Sequence, residues 1–404
     1  MMPPQALQGA RATRRYDLDW LRVIATIVVF LFHCARFFDS LEGWHVKNNQ
    51  LAPALSGPIQ VGSIWMMPLF FVLSGLGTYF SLHSRSATSF VRARFLRLAV
   101  PLMTVGWFVL GPPQIYIERV TGSGYNTPPF SGSFLHFLGH YSEGIYGLGG
   151  NFALTGVHLW YLFWLFIFSL LLLPIFGFLT SERGRRLVAA LAGFAEKPGT
   201  IFLFALPMCL PEALLNEGLG LGLKEGGWFL VTYLLLLVLG FLIPADSRFE
   251  QAIQRHKGFA LALAVLAAVG LMIGDLPSVS VLFGAAGPFV GAVLRTFGCW
   301  FWLIAILGFG QTWLSSGHPV LAYAGEAVLP FYMLHQPVIV IIGYFIRNWD
   351  MSIPAKYLLL SSTAFAVIML LYEFLVRRFN LLRFVFGLKS PGKRRSAEGR
   401  VALR

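Results

Sequence analysis

The sequence predicts an all-α polytopic membrane protein in which about ten transmembrane helices form one bundle. Of its 404 residues, 56% are hydrophobic and only 12% are charged, whereas about 25% of the residues in an ordinary soluble domain are charged. Apolar windows of about 20 residues recur along the chain, and each is long enough to cross a hydrocarbon layer of roughly 30 Å. The basic residues are concentrated in alternate connections between these windows. Together the three features predict membrane-spanning helices and not a water-soluble core.

Ten windows have the length and apolarity expected of a membrane span. We expect residues 16–386 to form one transmembrane domain. The flanking residues 1–15 and 387–404 are polar and basic, which is typical of mobile tails. The predicted spans are residues 20–38, 62–82, 97–117, 157–179, 200–216, 227–244, 258–275, 289–313, 325–346 and 355–376.

The 31 Lys and Arg residues are distributed unequally between the two predicted sides of the membrane. With the N-terminus placed inside, 24 of them fall in inner segments and five in outer ones, with Arg36 and Arg295 left within spans. The positive-inside rule therefore predicts that both termini are cytoplasmic. Attraction of these cations to anionic headgroups explains the net charge of +13. We expect membrane lipids as partners and no nucleic acid.

The longest connection, residues 118–156, is predicted on the outer side and is rich in Gly, Pro, Tyr and His. A loop of this length is usually functional or disordered. Its aromatic and polar side chains suit contact with a sugar, and a lid packed over the helices is the alternative.

Cys34, Cys209 and Cys299 lie in or beside apolar windows and lack metal-ligand spacing. We expect buried packing residues there and no metal site.

Ionisable residues in the first span form the first candidate site. Arg22 and His33 are eleven positions apart, three turns plus roughly 20°, so they share one helix face about 16 Å apart along the axis. Asp19 lies on the same stripe, which is expected to face the bundle interior because ionisable groups are costly in lipid. A base at mid-depth and a cation nearer the cytoplasm suit a reaction in which a phosphate-bearing donor molecule enters from the cytoplasm. The phosphates would then stay near the cation while the other end of the donor reaches the base. The alternative is an interfacial Asp-Arg anchor with a hydrogen-bonded buried histidine.

The second and third spans carry two further motifs. Ser74 and Gly75 close a Phe-Phe-Val-Leu-Ser-Gly stretch, where small residues would let two helix backbones approach closely. Ser74 is also a candidate substrate contact. Arg92, Arg94 and Arg97 form a cationic cluster on the predicted inner face. Such a cluster binds either anionic lipid or the phosphates of a nucleotide cofactor.

The fourth and ninth spans add histidine and aromatic residues. His158 and Trp160 lie at the start of the fourth span. They would belong either to an aromatic belt at the membrane interface or to a surface that binds an acceptor sugar. The ninth holds Glu326 near its inner end and Tyr332 and His335 near its middle.

His33 and His335 reach similar depths, near mid-membrane, when counted from the inner edges of their spans. Histidine has the pKa for general-base work near neutral pH. Pro337 removes a backbone hydrogen bond and is expected to kink the ninth helix beside His335. We predict that His33 acts as the general base of a catalytic site. His335 is either an alternative candidate for the same role or the group that stabilises a developing oxyanion.

In their order along the chain, these motifs resemble the acyltransferase-3 family of membrane acyltransferases. The resemblance covers residues 16–386, and within the family the chain looks most like the branch that modifies periplasmic glucans with succinyl groups. It rests on Arg22 and His33 at their spacing, the Phe-Phe-x-x-Ser-Gly stretch, the Arg-rich run that ends at Pro101, the His-Leu-Trp-Tyr-Leu stretch from His158, and Tyr332-x-x-His335-x-Pro337.

The resemblance implies a ten-helix core in the bacterial inner membrane, with acyl-CoA as donor and a hydroxyl of an extracytoplasmic glycan as acceptor. Arg22 and His33 match the Arg and His that the family requires for function, and His335 joins them as a candidate catalytic residue. The other candidates are contacts to the CoA phosphates (Arg92, Arg94 and Arg97) and to the acceptor or its surroundings (Asp19, Ser74, His158, Trp160, Glu326 and Tyr332).

Two other function classes remain open from the residues alone. A secondary transporter for a small anion would also place Arg22, His33, Glu326 and His335 within the membrane. A non-catalytic scaffold would leave these groups unexplained. Release of free CoA from labelled acyl-CoA separates the enzyme from the transporter.

Overall fold

The computed structural model describes residues 14–123, 128–218, 223–273 and 283–389, so most of both predicted tails lies outside the described residues. The described chain is almost entirely helical. The α-helices are α1 Tyr16–Arg36, α2 Ser56–Ser84, α3 Ala87–Arg94, α4 Gly111–Thr121, α5 Phe134–His140, α6 Trp160–Leu171, α7 Leu173–Thr180, α8 Glu182–Ala195, α9 Leu206–Leu210, α10 Leu230–Leu242, α11 Ser247–Ile273, α12 Gly287–Trp313, α13 Pro319–Ile346, α14 Ile353–Leu371 and α15 Asn380–Val385.

Shorter elements extend or join these helices. Strands β1 Lys224–Glu225 and β2 Trp228–Phe229 form an antiparallel hairpin that pairs Lys224 with Phe229. The π-helical segments are Phe95–Ala99, Leu102–Leu110, Pro211–Gly218 and Tyr372–Val376, and the 3-10 segments are Pro53–Leu55, Val157–Leu159, Thr200–Ala205, Ile243–Ala245 and Gly284–Ala286.

Membrane-spanning length is reached by most, but not all, of the predicted spans. The bent pair Val157–Leu171 and Leu173–Thr180, with 51° between its halves, is either a broken eighth span or a re-entrant loop. Two further apolar stretches, Thr200–Leu215 and Leu230–Ala245, are shorter than 18 residues. The all-α polytopic class is therefore confirmed, whereas the count of ten spans is not. In the described residues, seven helices are long and apolar enough: Tyr16–Arg36, Pro53–Ser84, Ala87–Thr121, Ser247–Gly270, Gly284–Trp313, Pro319–Ile346 and Ile353–Val376.

Helices α1 and α13 run side by side in the same direction. The Trp20 indole N–H donates to Ser316 O at 3.1 Å near the start of both helices. Near their ends, the Phe37 ring packs against Gly343. This alignment brings the histidine of each helix to one level of the bundle.

Segments predicted to lie on the inner side meet at one end of the bundle. Arg15 pairs with Glu250 at 2.5 Å, and Arg383 pairs with Glu326 at 2.7 Å. Gly387 packs against the carbonyl of Arg97. We call this the basic end and the opposite one the loop end.

The loop end is closed by buried polar contacts and by a packed lid. Lys356 is fully buried and donates to Asn48 Oδ1 at 2.8 Å. The long connection folds over the helices around a small core that includes Phe137 and Tyr141. Burial raises the pKa of Tyr141 to about 12, and its hydroxyl donates to Trp107 O at 2.7 Å. Packing as a lid is thus part of this loop's role, and sugar contact stays a prediction.

Close backbone contact between α2 and α10 explains the small residues of the second span. A Cβ at Gly75 would overlap the backbone of α10 at Leu237 and Gly240, and one at Gly240 would overlap Val72. The predicted close approach is therefore present. The three cysteines are free and buried, as expected of packing residues.

Candidate functional site

Pro337 leaves a backbone carbonyl of α13 without its helical partner. The N–H of residue 337 would bond to Met333 O, but proline has no N–H. The helix continues through Pro337, and His158 Nε2 lies 2.9 Å from Met333 O. Because a carbonyl only accepts, neutral His158 carries its proton on Nε2, as assigned from this network. Its Nδ1 is buried and has no hydrogen-bond partner within the described ranges of the chain.

His33 of α1 and His335 of α13 are in direct contact at the centre of the site. His33 Nδ1 lies 2.7 Å from His335 Nε2. The two ring planes are nearly parallel, with 14° between them and 4.9 Å between centroids, as expected for rings joined edge to edge by this hydrogen bond. His158 meets the edge of the His335 ring at 5.4 Å between centroids. Three predicted site histidines therefore form one cluster.

Hydrogen bonds define the protonation of the His33–His335 pair. His335 Nδ1 is 2.5 Å from Tyr332 O, so this nitrogen donates to the carbonyl. In a neutral imidazole the other nitrogen, Nε2, is then the acceptor. His33 Nδ1 must consequently donate to it, which leaves the lone pair of His33 Nε2 free. The pair presents one basic nitrogen, and it belongs to His33.

Accessibility favours the same nitrogen. Only 1% of His335 is exposed, and both of its ring nitrogens are engaged. His33 is partly exposed. His33, whose Nε2 keeps the uncommitted lone pair, therefore suits the role of base, and His335 suits that of its positioning partner.

A row of hydroxyl groups connects the histidines to α2. Tyr332 Oη donates to His158 O at 2.6 Å. The Tyr332 ring lies 6.0 Å from that of Tyr161, and Tyr161 Oη lies 2.6 Å from Ser74 Oγ. Ser74 is thus linked to the site through Tyr161, a residue that the sequence motifs contained but that was not singled out.

Arg22 lies below this row, against α2. One of its terminal nitrogens donates to Leu73 O at 3.2 Å, and the other lies 3.4 Å from Asp19 Oδ1. Asp19 also pairs with Arg14 at 2.9 Å. One carboxylate shared by two guanidinium groups leaves net positive charge beside Arg22.

The arginine cluster of the third span adjoins Arg22. Arg94 donates to Thr78 Oγ1 at 2.6 Å, while Arg92 and Arg97 are exposed. Electrostatic repulsion acts among Arg22, Arg94 and Arg97. Within the described part of the chain, no carboxylate lies within ion-pair distance of Arg92, Arg94 or Arg97. This excess of cations is suited to an anionic group.

A cavity of about 360 Å³ opens at the basic end beside these arginines. Its lining includes His83, Arg85 and Arg185, and Arg85 is close enough to Arg97 for their charges to repel. The cavity therefore extends the cationic surface. In the ranges that the structure describes, no group of three or more His, Cys, Asp or Glu side chains is arranged to hold a metal ion.

Two predicted substrate contacts lie apart from the histidines. Glu326 pairs with Arg383 and precedes His335 by nine residues, roughly 13 Å along the helix. Trp160 packs 5.4 Å from Tyr233 in the aromatic layer between helices. Their contacts to substrate stay predictions.

Sequence reasoning missed a buried polar network at the loop end. His45 Nδ1 donates to Glu118 Oε2 at 2.6 Å. Gln336 Nε2 lies 2.9 Å from His45 Nε2 and 3.1 Å from Gln114 Oε1. All four residues are buried. The available signals were the four-residue spacing of Gln114 and Glu118 and the position of Gln336 next to His335.

The connection after α1 is held by a second network. Arg36 pairs with Asp39 at 2.7 Å and donates to Glu42 O at 2.7 Å. Lys47 donates to Arg36 O at 2.8 Å. Burial first, and then the Arg36 charge, lower the pKa of Lys47 to about 8. The segment between Arg36 and Lys47 is thus tied back onto the end of α1.

Comparison with known proteins gives one family and a consistent set of relatives. A family model described as an acyltransferase domain matches residues 15–373. The chain is 22% identical over 403 residues to glucans biosynthesis protein C of Escherichia coli O1:K1 / APEC, covering 95% of this chain and 97% of that protein. It is 23% identical over 404 residues to the protein of the same name from Salmonella typhimurium (strain LT2), covering 96% of this chain and 99% of that protein. No solved structure matches.

Proposed function

The chain belongs to the acyltransferase-3 family of membrane acyltransferases, and from this premise we propose that it moves an acyl group from cytoplasmic acyl-CoA to a hydroxyl of an extracytoplasmic glycan. The membrane proposed is the bacterial inner membrane, with both termini cytoplasmic. The observation that carries the proposal is the His33–His335 pair, which presents one free basic nitrogen above a cationic cluster.

His33 acts as general base in this reaction. A sugar hydroxyl is too weak an acid to ionise near neutral pH, so a base must take its proton during attack. As the hydroxyl oxygen bonds to the thioester carbonyl carbon, the proton passes to His33 Nε2. The C–S bond then breaks, and the imidazolium returns the proton to the CoA thiolate. The products are an O-acyl ester and CoA with its thiol restored.

His335 positions and stabilises His33 through these steps. Its Nε2 accepts the Nδ1–H of His33 and fixes the tautomer with a free Nε2. When His33 becomes an imidazolium, the same hydrogen bond is to a charged donor and strengthens. His335 thereby lowers the barrier without contact to substrate.

The distance between Arg22 and His33 suits the arm of CoA. Eleven residues of helix separate them by roughly 16 Å at about 1.5 Å per residue. The pantetheine arm has about 13 bonds from phosphorus to sulfur, and an extended chain covers roughly 3.5 Å per three bonds, which gives about 15 Å. A pyrophosphate near Arg22 would place the thioester at His33.

The arginine cluster is the proposed site of the CoA phosphates. Arg22, Arg94 and Arg97 have an excess of positive charge, and Arg92 is exposed beside them. A hydrogen bond to a charged group contributes about 1.5–3 kcal/mol. Each well-formed contact therefore changes donor binding by about tenfold or more.

The acceptor is proposed to approach from the loop end. His33 lies three residues before Arg36, where α1 ends, so its imidazole is close to the loop end of the bundle. The two relatives carry the name of glucan biosynthesis proteins, which supports a glucan or a related glycan as acceptor. Acetyl and succinyl are the acyl groups proposed for the donor.

Two measurements test the proposal. Protein in detergent or nanodiscs, given acetyl-CoA or succinyl-CoA and periplasmic glucan, should release free thiol and form acylated glucan. Mass spectra of envelope glycans from cells with and without the gene should differ by one acyl mass. If no combination of acyl-CoA and acceptor releases CoA, and the glycan masses are unchanged, the proposal is contradicted and an anion transporter is favoured.

Three single arginine-to-alanine variants test the donor site. Arg94→Ala or Arg97→Ala should raise the KM for acyl-CoA by about tenfold. Arg183→Ala removes an exposed arginine of α8 outside the proposed site and should leave the KM unchanged. Equal KM values in all three variants would make the cluster a lipid anchor.

A further inference from the structure

Acyl transfer through this site needs a hydrogen-bond donor for the carbonyl oxygen. Negative charge develops on that oxygen when the hydroxyl attacks, and a preorganised donor is usually the largest single contribution to such catalysis. His335 cannot supply it, because its Nδ1–H is given to Tyr332 O and its Nε2 is an acceptor. His33 Nε2 has a free lone pair and no proton before attack.

The indole of Trp44 carries a buried hydrogen-bond donor close to His33. The residue is only 4% exposed, yet its indole Nε1–H has no hydrogen-bond partner among the residues that the structure describes. Buried indole N–H groups normally find one. The indole stacks on the imidazole of His33, with 5.1 Å between centroids and 24° between planes. The ring that carries this donor therefore lies against the proposed base.

Buried charge fixes the chain immediately before Trp44. Arg36 donates to the carbonyls of Glu42 at 2.7 Å and Gly43 at 3.2 Å. Its guanidinium also lies 5.8 Å from the centroid of the Trp44 ring. Arg36 is itself 9% exposed and is held by Asp39. The approach of the loop to His33 is thus determined by a buried ion pair.

The residue immediately after Trp44 is fixed equally well. His45 is bonded through Nδ1 to Glu118 and through Nε2 to Gln336, and Gln336 follows His335 directly in α13. Trp44 is therefore held from both sides, and one of these anchors is tied to the helix that carries the base pair. A donor held in place in advance costs little reorganisation when the oxyanion forms.

We propose that the indole Nε1–H of Trp44 donates to the thioester carbonyl oxygen of acyl-CoA and stabilises the oxyanion as the tetrahedral intermediate forms. Trp44 forms no covalent bond and gives up no proton. Arg36, His45, Glu118 and Gln336 act as positioning residues for it. The inference rests on the proposed acyl transfer and adds the residue that stabilises the oxyanion.

Removal of the N–H alone tests this role. Trp44→Phe keeps an aromatic ring for the stack, and replacement of Trp44 by 3-benzothienylalanine keeps the bicyclic shape without the N–H. Both should lower kcat by about 10²- to 10³-fold, with the KM for acyl-CoA changed by about twofold or less. Trp300→Phe is the control, because the buried Trp300 donates to Ile201 O at 2.8 Å and serves packing.

Kinetics are compared at equal amounts of folded protein, measured by size-exclusion chromatography. Loss of kcat in both Trp44 variants but not in Trp300→Phe supports the proposal. If the benzothienylalanine protein retains kcat within about threefold, far less than removal of an oxyanion donor costs, Trp44 is a packing residue and the proposal is overturned.

A ground-state measurement separates this proposal from the proposed transfer itself. In isotope-edited infrared spectra of [1-¹³C]acetyl-CoA bound without acceptor, the carbonyl band should shift to lower frequency in the unsubstituted protein and not in Trp44→Phe. A band shift that depends on Trp44, found in a protein that transfers no acyl group to glycan, would support Trp44 as hydrogen-bond donor and would refute the glycan as acyl acceptor. An identical band in both proteins would overturn the donor role.

Discussion

Replacement of His335 should reduce turnover without abolishing it, and this distinguishes a positioning residue from a base. In His335→Ala, His33 loses the acceptor that lies 2.7 Å from its Nδ1. A hydrogen bond to a charged group contributes about 1.5–3 kcal/mol, so losing it from the imidazolium should lower kcat roughly 10- to 150-fold. His33→Ala removes the base itself and should cost about 10²- to 10⁴-fold.

Two further variants sharpen the comparison. His335→Gln retains a side-chain oxygen that can accept from His33 Nδ1, and it should recover much of the activity lost in His335→Ala. The double variant His33→Ala/His335→Ala should be no slower than His33→Ala alone, because a positioning residue has no effect once the base is absent.

The assay is release of CoA thiol in the presence of glucan, normalised to folded protein, because truncation of a buried side chain also lowers stability. Near-normal turnover in His33→Ala, with activity lost only in His335→Ala, would refute the assignment and transfer the role of base to His335. Additive losses in the double variant would show that the two histidines act independently.

Three further predictions concern topology, packing and pH. Cysteines placed at Ser84 and Ser131 should be labelled from opposite faces of the membrane, with Ser84 cytoplasmic; labelling of both from one face would contradict the orientation. Gly75→Ala should lower the free energy of unfolding by about 1–3 kcal/mol, because the new methyl group would overlap the backbone at Gly240; an unchanged Tm would show that α2 and α10 can separate without cost. The pKa of Lys47 is lowered to about 8 from 10.5, so the unfolded chain binds more protons between these values and stability should rise with pH there; Lys47→Met should flatten that rise in Tm, and an unchanged slope would refute the cause.

The fold class was predictable because apolar length is a local property of the chain. Within the described residues each predicted window is mainly helical, but the windows around Thr200–Leu215 and Leu230–Ala245 contain short helices flanked by π-helical, 3-10 and hairpin segments. Hydropathy averages over these changes in helix geometry and does not detect where the regular helix begins and ends.

The candidate site was predictable only for residues whose depth in the membrane can be counted from the ends of their spans. His33 and His335 were paired by their positions within spans, and the structure brings them into contact. The roles of their nitrogens could not be predicted, because these follow from the Tyr332 carbonyl. Trp44 and His45 lie in a connecting loop without periodicity, and their partners are as distant as Gln336, 291 positions along the chain.

The most direct test of the central claim follows a labelled acyl group across the membrane. Proteoliposomes with acyl-labelled acyl-CoA on the side of the basic end and glucan on the side of the loop end should accumulate label in the glucan and release an equal amount of CoA. His33→Ala at the same density of folded protein should do so at least about 10²-fold more slowly. Equal labelling of the glucan by His33→Ala, or CoA release without any label in the glucan, would contradict transfer by this histidine.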